Sequence, residues 1–460
     1  MRVSIHPAVA LGAALIGSSL WLWVRSTHQM AHDLDVYMRT QVQNSHFSGA
    51  VLVGRAGEVL FEAGYGLADV EWQIPNRANT KFSIASLSKQ FTAVLIMKLQ
   101  EQGKLHATDL ICRHLDSCPE TWSSIRISHL LSHTSGIPDF TDIPSFLAER
   151  RLSRSKDQVI LTFRDKPLEF SPGAKFRYSN SNYFLLGMIV EKVSGSTFED
   201  VLTQEILAPL RLNDSGIASG DSIIEKQARG YRATPEGRVI DADIMDAGWT
   251  FGAGAIYSTV RDLKKWDDAL YTEAILPRST LASMWTPVKE GYGYGWYVPA
   301  ISRATLNRHV VFHSGHTDGF VSCMSRFPND ELVVIVLSNY EMTKHACSVA
   351  TGLAAITLGD KDALRPDPVE VRLDPTFESR YVGNYRVSSD INVLITQENG
   401  HLFATIGQIP KAEIFPASER EFFFKVFDSQ LDFVTNSAGK VTGFVAHIPL
   451  RDDVPGEKLD

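Results

Sequence analysis

The chain has 460 residues, 44% of them hydrophobic, which is enough apolar material to bury a full core and to divide into two or more domains. That excludes a disordered chain. A net charge of -8, with 53 acidic against 45 basic residues and no Lys/Arg run to override the balance, leaves no electrostatic footprint for nucleic acid.

In chain order, Arg2 precedes a stretch from Pro7 to Val24 without a charge, closed by Arg25. This pattern reads as an export signal. Its length, the tryptophans Trp21 and Trp23 and the lack of a small-x-small cleavage site favour an uncleaved membrane anchor, so residues 1–30 are assigned as signal peptide or anchor. An exported protein of the periplasm or cell envelope follows. Next, Ser48 to Val53 and Val59 to Ala63 flank Gly54-Arg55-Ala56-Gly57, a hairpin pattern. Phe82 to Ala93 then opens an apolar helix that runs to Gly103, where glycine supplies a stop. Export implies an oxidising compartment, in which Cys112 and Cys118 are close enough to close a short disulfide loop.

The middle of the chain reads as helices and loops. Tyr183 to Val193 is apolar at helical period and ends at Gly195, and Ser196-Thr197-Phe198-Glu199 has the form of a capping box. Strands return at Val310–His313, Gly319–Arg326 and Leu332–Leu337, the last two joined by the turn Pro328-Asn329-Asp330. One antiparallel sheet built from both ends of this region, with helices inserted between, is an α+β fold: a sheet flanked by helices plus a mainly helical subdomain. Asp360 to Pro375 turns charged and proline-containing, as a linker does, and Tyr381 to Ile448 alternates in short strands with turns at Asn399-Gly400 and Ala438-Gly439. The predicted domains are 35–360 and a small all-β, barrel-like unit at 375–455.

Ser86-Leu87-Ser88-Lys89 lies at the start of the predicted helix, where positions i and i+3 are neighbours, so a hydroxyl meets an amine. An amine whose pKa is lowered by desolvation can take the proton of an otherwise poor serine nucleophile. The same short pattern also occurs at Ser153-Arg154-Ser155-Lys156 and Ser437-Ala438-Gly439-Lys440, in polar surroundings. Two further elements single out the first. Tyr178-Ser179-Asn180 precedes a helix and supplies a phenol, whose pKa nearby cations would lower, and an amide. His313-Ser314-Gly315 ends one apolar run before another, as an inner strand edge does, where a backbone N–H and a polar side chain can face a substrate.

Together these three elements resemble the serine β-lactamase and penicillin-binding protein superfamily, most closely the class C β-lactamase and DD-peptidase-like serine hydrolases, in which Ser-x-x-Lys, Tyr-x-Asn and Lys-Thr-Gly or His-x-Gly occur in this order. Leu130 to Asp139, Gly252 to Leu263 and Tyr292-Gly293-Tyr294-Gly295-Trp296 resemble further stretches of the family. The C-terminal unit resembles the lipocalin-like barrel attached to some members. The resemblance implies a penicillin-binding-protein-like acyl-enzyme hydrolase that acts on an amide or ester in a small molecule or peptide and needs no cofactor. Ser86 would be the nucleophile, Lys89 and Tyr178 the acid/base groups, with the first proton acceptor left open between them. Asn180, His313, Ser314, Gly315 and His316 would bind substrate, and the N–H groups of Ser86 and His316 would form the oxyanion hole.

Two departures stand out. His313 replaces the usual lysine and would hold a substrate carboxylate less firmly, and His316 stands where the family has a small residue, so its imidazole would narrow the pocket or touch substrate. Both disfavour β-lactam turnover relative to an esterase or peptidase. A non-catalytic envelope protein that binds peptidoglycan fragments or a protein partner is the alternative, against which the intact Ser86, Lys89 and Tyr178 argue. His129 and His133 stand at i and i+4, but no interleaved carboxylate accompanies them, so no metal is assigned.

Overall fold

Strand β1 (Gly49–Arg55) turns through Ala56 and Gly57 into β2 (Glu58–Tyr65), and the two pair antiparallel. The computed structural model describes residues 28–43, 46–218, 223–234, 238–243, 245–341, 346–360, 368, 370–374, 379–388, 391–407, 411–424, 429–447 and 453–459. Three further strands arrive from far along the chain: β3 (Val311–Thr317), β4 (Phe320–Phe327) and β5 (Leu332–Ser338). The sheet order is β3-β4-β5-β1-β2 with every neighbour antiparallel, so the sheet is assembled from both ends of the region as expected.

Strand side chains alternate between faces, and here both faces are buried. Ala50, Leu52, Met324, Ile335 and Leu337 enter one core, while Val51, Val53, Cys323, Val334 and Val336 enter another. The first core is shared with the helical region: α2 (Ser88–Glu101), α3 (Asn180–Ser194), α4 (Ala247–Gly254) and α5 (Val260–Ala269), which follow a helix α1 over 28–43. The second core is covered by α1 through Leu34 and Met38 and by α6 (Ala346–Leu358) through Val349 and Leu353. Gly195 ends α3 in the left-handed conformation at φ 74°, the stop its position suggests. The helix after it is capped by Thr197, whose hydroxyl accepts from Asp200 N at 3.1 Å, so the cap lies one residue later than the expected Ser196. Disulfides join Cys112 to Cys118 and Cys323 of β4 to Cys347 of α6, the second tying the sheet to its covering helix.

The C-terminal unit is a closed barrel whose strands, from β6 (Gly383–Arg386) to β13 (Val454–Lys458), pair in sequence order, with the first closing on the last at Tyr385↔Lys458 and Arg386↔Glu457. Closure leaves no free sheet edge. Its interior is packed by Tyr381, Tyr385, Phe422, Phe433 and Phe444. Residues 1–27, which carry most of the assigned leader, lie outside the described residues, as does most of the predicted linker. Among the described residues no helix is long and apolar enough to cross a membrane.

Candidate active site

Ser86 sits in a single 3-10 turn, Ala85–Leu87, that feeds into α2, rather than in the α-helix itself. The residue before it, Ala85, holds φ at 47° while buried, a left-handed conformation that costs a non-glycine residue and persists only where packing enforces it. The enforcing contact comes from β3 and β4. Ser322 donates its hydroxyl to the Ile84 carbonyl at 2.8 Å, and a Cβ on Gly315 would stand 2.3 Å from that carbonyl and 3.1 Å from Ser86 N. Only glycine lets the strand edge come this close to the Ser86 turn.

Lys89 is fully buried one turn on, with Nζ 2.9 Å from Ser86 Oγ, 2.8 Å from Asn180 Oδ1 and 2.8 Å from the Ala253 carbonyl. The backbone leaves helical geometry at Phe251, φ 34°, and the carbonyls beyond it turn toward α2: Gly252 O takes the Thr92 hydroxyl at 2.6 Å and Ala253 O takes Lys89. Such end-of-helix carbonyls lack intrahelical partners and need a donor from elsewhere. Burial lowers the Lys89 pKa from 10.5 to about 7, and the charge of Asp139 opposes the shift. Asn180 Oδ1 and Ala253 O can only accept, so they claim two N–H groups of the amine. The third direction, toward Ser86, then carries a proton or a lone pair according to pH.

The Tyr-Ser-Asn segment is knitted to the stretch around His133. Ser179 N donates to His133 Nδ1 at 3.2 Å, Arg177 N donates to His133 O at 2.9 Å, and the Ser135 hydroxyl donates to Asn182 Oδ1 at 2.6 Å. Tyr178 thereby reaches hydrogen-bond contact with Ser86, its ring 4.9 Å from Lys89 Nζ and 4.2 Å from the His133 ring. Its pKa departs from expectation. Desolvation, reinforced by Tyr297, holds the phenol well above 10, outweighing the Ser86 hydrogen bond, so Tyr178 remains protonated. Asn180 is engaged at both ends: its Oδ1 meets Lys89 and its Nδ2 donates to Asp139 Oδ2 at 2.9 Å, leaving one N–H free to face a substrate.

His313 is buried with Tyr292, Tyr297 and Tyr178 around it. Its Nδ1 lies 2.6 Å from the Ser314 carbonyl, which must receive a proton, so Nε2 is the acceptor and the Tyr292 hydroxyl donates to it at 3.1 Å. Burial, with Lys89 nearby, pushes its pKa down to about 3. The ring is neutral and both nitrogens are occupied, so it offers no charge to a substrate carboxylate.

Strand periodicity separates the remaining predicted residues. His313 and Gly315 face Ser86. Ser314 lies opposite Cys323, whose side chain points to α6, and His316 lies opposite Val321, part of the same second core. The side chains of Ser314 and His316 therefore face away from Ser86, contrary to the expectation that the His316 imidazole would narrow the pocket. That imidazole is 64% exposed and sits 3.4 Å from Glu341, while the strand backbone at Gly315 stays beside the Ser86 turn. The two other Ser-x-x-Lys matches fall elsewhere: Ser155 caps the helix Lys156–Leu161, with Lys156 paired to Glu191, and Ser437 to Lys440 form a turn between barrel strands. Asp139, Ala253, Tyr292 and His133 complete the site. All four lie in quoted family stretches, but the contribution of Ala253 is a backbone carbonyl, which leaves no mark in a sequence.

The family model described as Beta-lactamase matches residues 34–357. The chain is 28% identical over 425 residues to a penicillin-binding protein of Bacillus subtilis (strain 168), covering 87% of this chain and 93% of that one. Among solved structures it is similar to the octameric penicillin-binding protein homologue from Pyrococcus abyssi, with TM-score 0.68 and 22% identity over 93% of this chain and 99% of that one. A D-stereospecific amidohydrolase from Streptomyces sp. superposes with TM-score 0.58 and 23% identity, covering 73% of this chain and 98% of that one.

Proposed function

The chain belongs to the Beta-lactamase family, and from that premise we propose that it is a serine hydrolase that forms an acyl-enzyme on Ser86 and cleaves esters or amides. The observation that carries this reading is the 2.9 Å contact between Ser86 Oγ and a lysine amine whose two other directions are pinned by pure acceptors. Lys89 in its neutral form accepts the Ser86 proton as Oγ bonds to the substrate carbonyl carbon. The sequence left this choice open, and a phenol held above 10 is a poor first acceptor, which favours the lysine. The oxyanion is received by the N–H groups of Ser86 and His316, the latter through backbone alone. The proton on Lys89 then reaches the leaving nitrogen or oxygen through Tyr178, which passes on its own proton as it gains another and never has to become a phenolate. The carbon–leaving-group bond breaks, and water repeats the sequence to release the acid.

A neutral, fully engaged His313 supports substrates with no carboxylate to be held at that position, such as simple esters and amides of amino acids, over β-lactams. Two disulfides and the penicillin-binding relative support an exported, cell-envelope location, and the segment at 1–30 would provide the leader or tether. Intact-protein mass spectrometry tests the reading with a panel of D-amino acid esters and amides alongside β-lactams. Wild type should gain acyl adducts from the esters and amides that Ser86→Ala lacks, with slow or absent β-lactam adducts. Turnover retained by Ser86→Ala would overturn it.

A further inference from the structure

We propose that Asp139 is a positioning residue that fixes the Asn180 amide with its oxygen toward Lys89 and its nitrogen away, and so keeps the amine aimed at Ser86. This rests on the reading of Ser86 as the acylated nucleophile. An asparagine amide is nearly symmetric in shape, and the flipped orientation would set its N–H groups against those of Lys89. A carboxylate only accepts, so Asp139 Oδ2, 2.9 Å from Asn180 Nδ2, permits one orientation alone. The result is a directed chain from Asp139 through Asn180 to Lys89 and Ser86, with successive contacts of 2.9, 2.8 and 2.9 Å.

Asp139 is itself held. It is 7% exposed and caps the turn Phe140–Asp142 by accepting from Thr141 N at 3.0 Å. On either side, the Pro138 carbonyl takes the Ser181 hydroxyl at 2.7 Å and Phe140 N donates back to that hydroxyl at 3.0 Å, which locks the segment to the first turn of α3. Asp139 thus uses two acceptors for two N–H groups, whereas an asparagine in its place has one oxygen for both.

The remaining groups facing Lys89 are the rings of Tyr178 and Tyr183 and the imidazoles of His133 and His313, both held neutral by burial; Asp142 stands near Asp139. Asp139 therefore supplies the negative charge that favours protonated Lys89. Removing it lowers the lysine pKa further, and the acid limb of acylation moves to lower pH.

The test is the rate of covalent labelling by a fluorophosphonate across pH 5 to 10, with thermal melting to confirm folding. Wild type should label at Ser86 and Ser86→Ala should not; if wild type fails to label, the nucleophile reading falls and Asp139 is not at issue. Asp139→Asn should lower the plateau rate by about 10- to 100-fold, the scale of a misaimed reacting group, and move the midpoint below that of wild type. The swapped pair, Asp139→Asn with Asn180→Asp, restores the contacts among Thr141, position 139, position 180 and Lys89, because the amide now at position 139 accepts from Thr141 N and donates to the carboxylate now at position 180. It sets that carboxylate directly on Lys89, so it should label with a midpoint above wild type, and it serves as the folded test should Asp139→Asn not fold. A folded Asp139→Asn with wild-type plateau and midpoint would overturn the proposal, as would a folded swapped pair that labels with the wild-type midpoint or not at all.

Discussion

Among the described residues of the hydrolase region, two cations, Lys89 and Arg326, are fully buried, and their surroundings differ in kind. Lys89 touches three neutral oxygens and no carboxylate. Arg326 is paired directly with Asp267, itself 2% exposed, and its guanidinium is covered by the rings of Tyr271, Trp285 and Trp296 at 4.7, 4.9 and 5.9 Å. A guanidinium with a carboxylate partner in a dry site stays charged and binds two elements together, here α5 and β4. An amine solvated only by dipoles loses much of the advantage of its charge and becomes able to exchange a proton near neutral pH. The same burial that makes one cation a structural pin makes the other a chemical group.

The largest expected effect breaks the Lys89 half of this contrast. Lys89→Arg keeps the positive charge but has no accessible lone pair, so acylation should fall about 10²- to 10⁴-fold, the range attributed to general acid–base groups, as measured by single-turnover adduct formation on folded protein. Second comes the Arg326 half. Arg326→Met leaves Asp267 buried without its partner and should cost about 3–5 kcal/mol of stability by denaturant titration, while the acylation rate per folded molecule stays close to wild type. Equal losses of rate and stability in both variants would erase the distinction. Tyr178→Phe sharpens it on the catalytic side: amide substrates should slow by about 10²-fold and activated esters far less, since a weakly basic leaving group needs no proton. The smallest effect comes from Ser155, inside the look-alike pattern Ser153-Arg154-Ser155-Lys156. Ser155→Ala removes a helix cap whose hydroxyl accepts from Gln158 N at 3.3 Å, so it should cost about 1 kcal/mol with no change in rate.

Much of the site could be read from the chain because its chemistry is local. Ser86 and Lys89 are three residues apart and adjoin for that reason, and the apolar helix they open distinguishes this pair from Ser153 and Lys156, which stand in polar surroundings. The hairpin, the late strands and the split sheet followed from alternation and turn residues. Other features depend on what the fold brings near. The Ala253 carbonyl reaches Lys89 because the backbone breaks at Phe251, and no side chain marks that break. Tyr178 was expected to ionise more readily beside cations, but the rings that enclose it come from distant segments and raise its pKa instead. The direction of the Ser314 and His316 side chains could have been read within the sequence. A strand has period two, so a motif that sets Gly315 against the Ser86 turn must send the side chains of Ser314 and His316 to the opposite face. The barrel could be read as alternating strands, whereas its closure depends on the pairing of Tyr385 with Lys458, across most of the unit.

The most direct test is the pH dependence of acylation in the wild-type protein, followed by quenched single turnovers from pH 5 to 9 with the modified peptide identified by mass spectrometry. A lysine held at about 7 gains its lone pair as pH rises, so the rate should climb through a midpoint near 7 to a plateau, with the adduct on Ser86. Neither His313, near 3, nor Tyr178, above 10, should add a limb within that window. A rate independent of pH across it, or an adduct on any residue other than Ser86, would contradict the account.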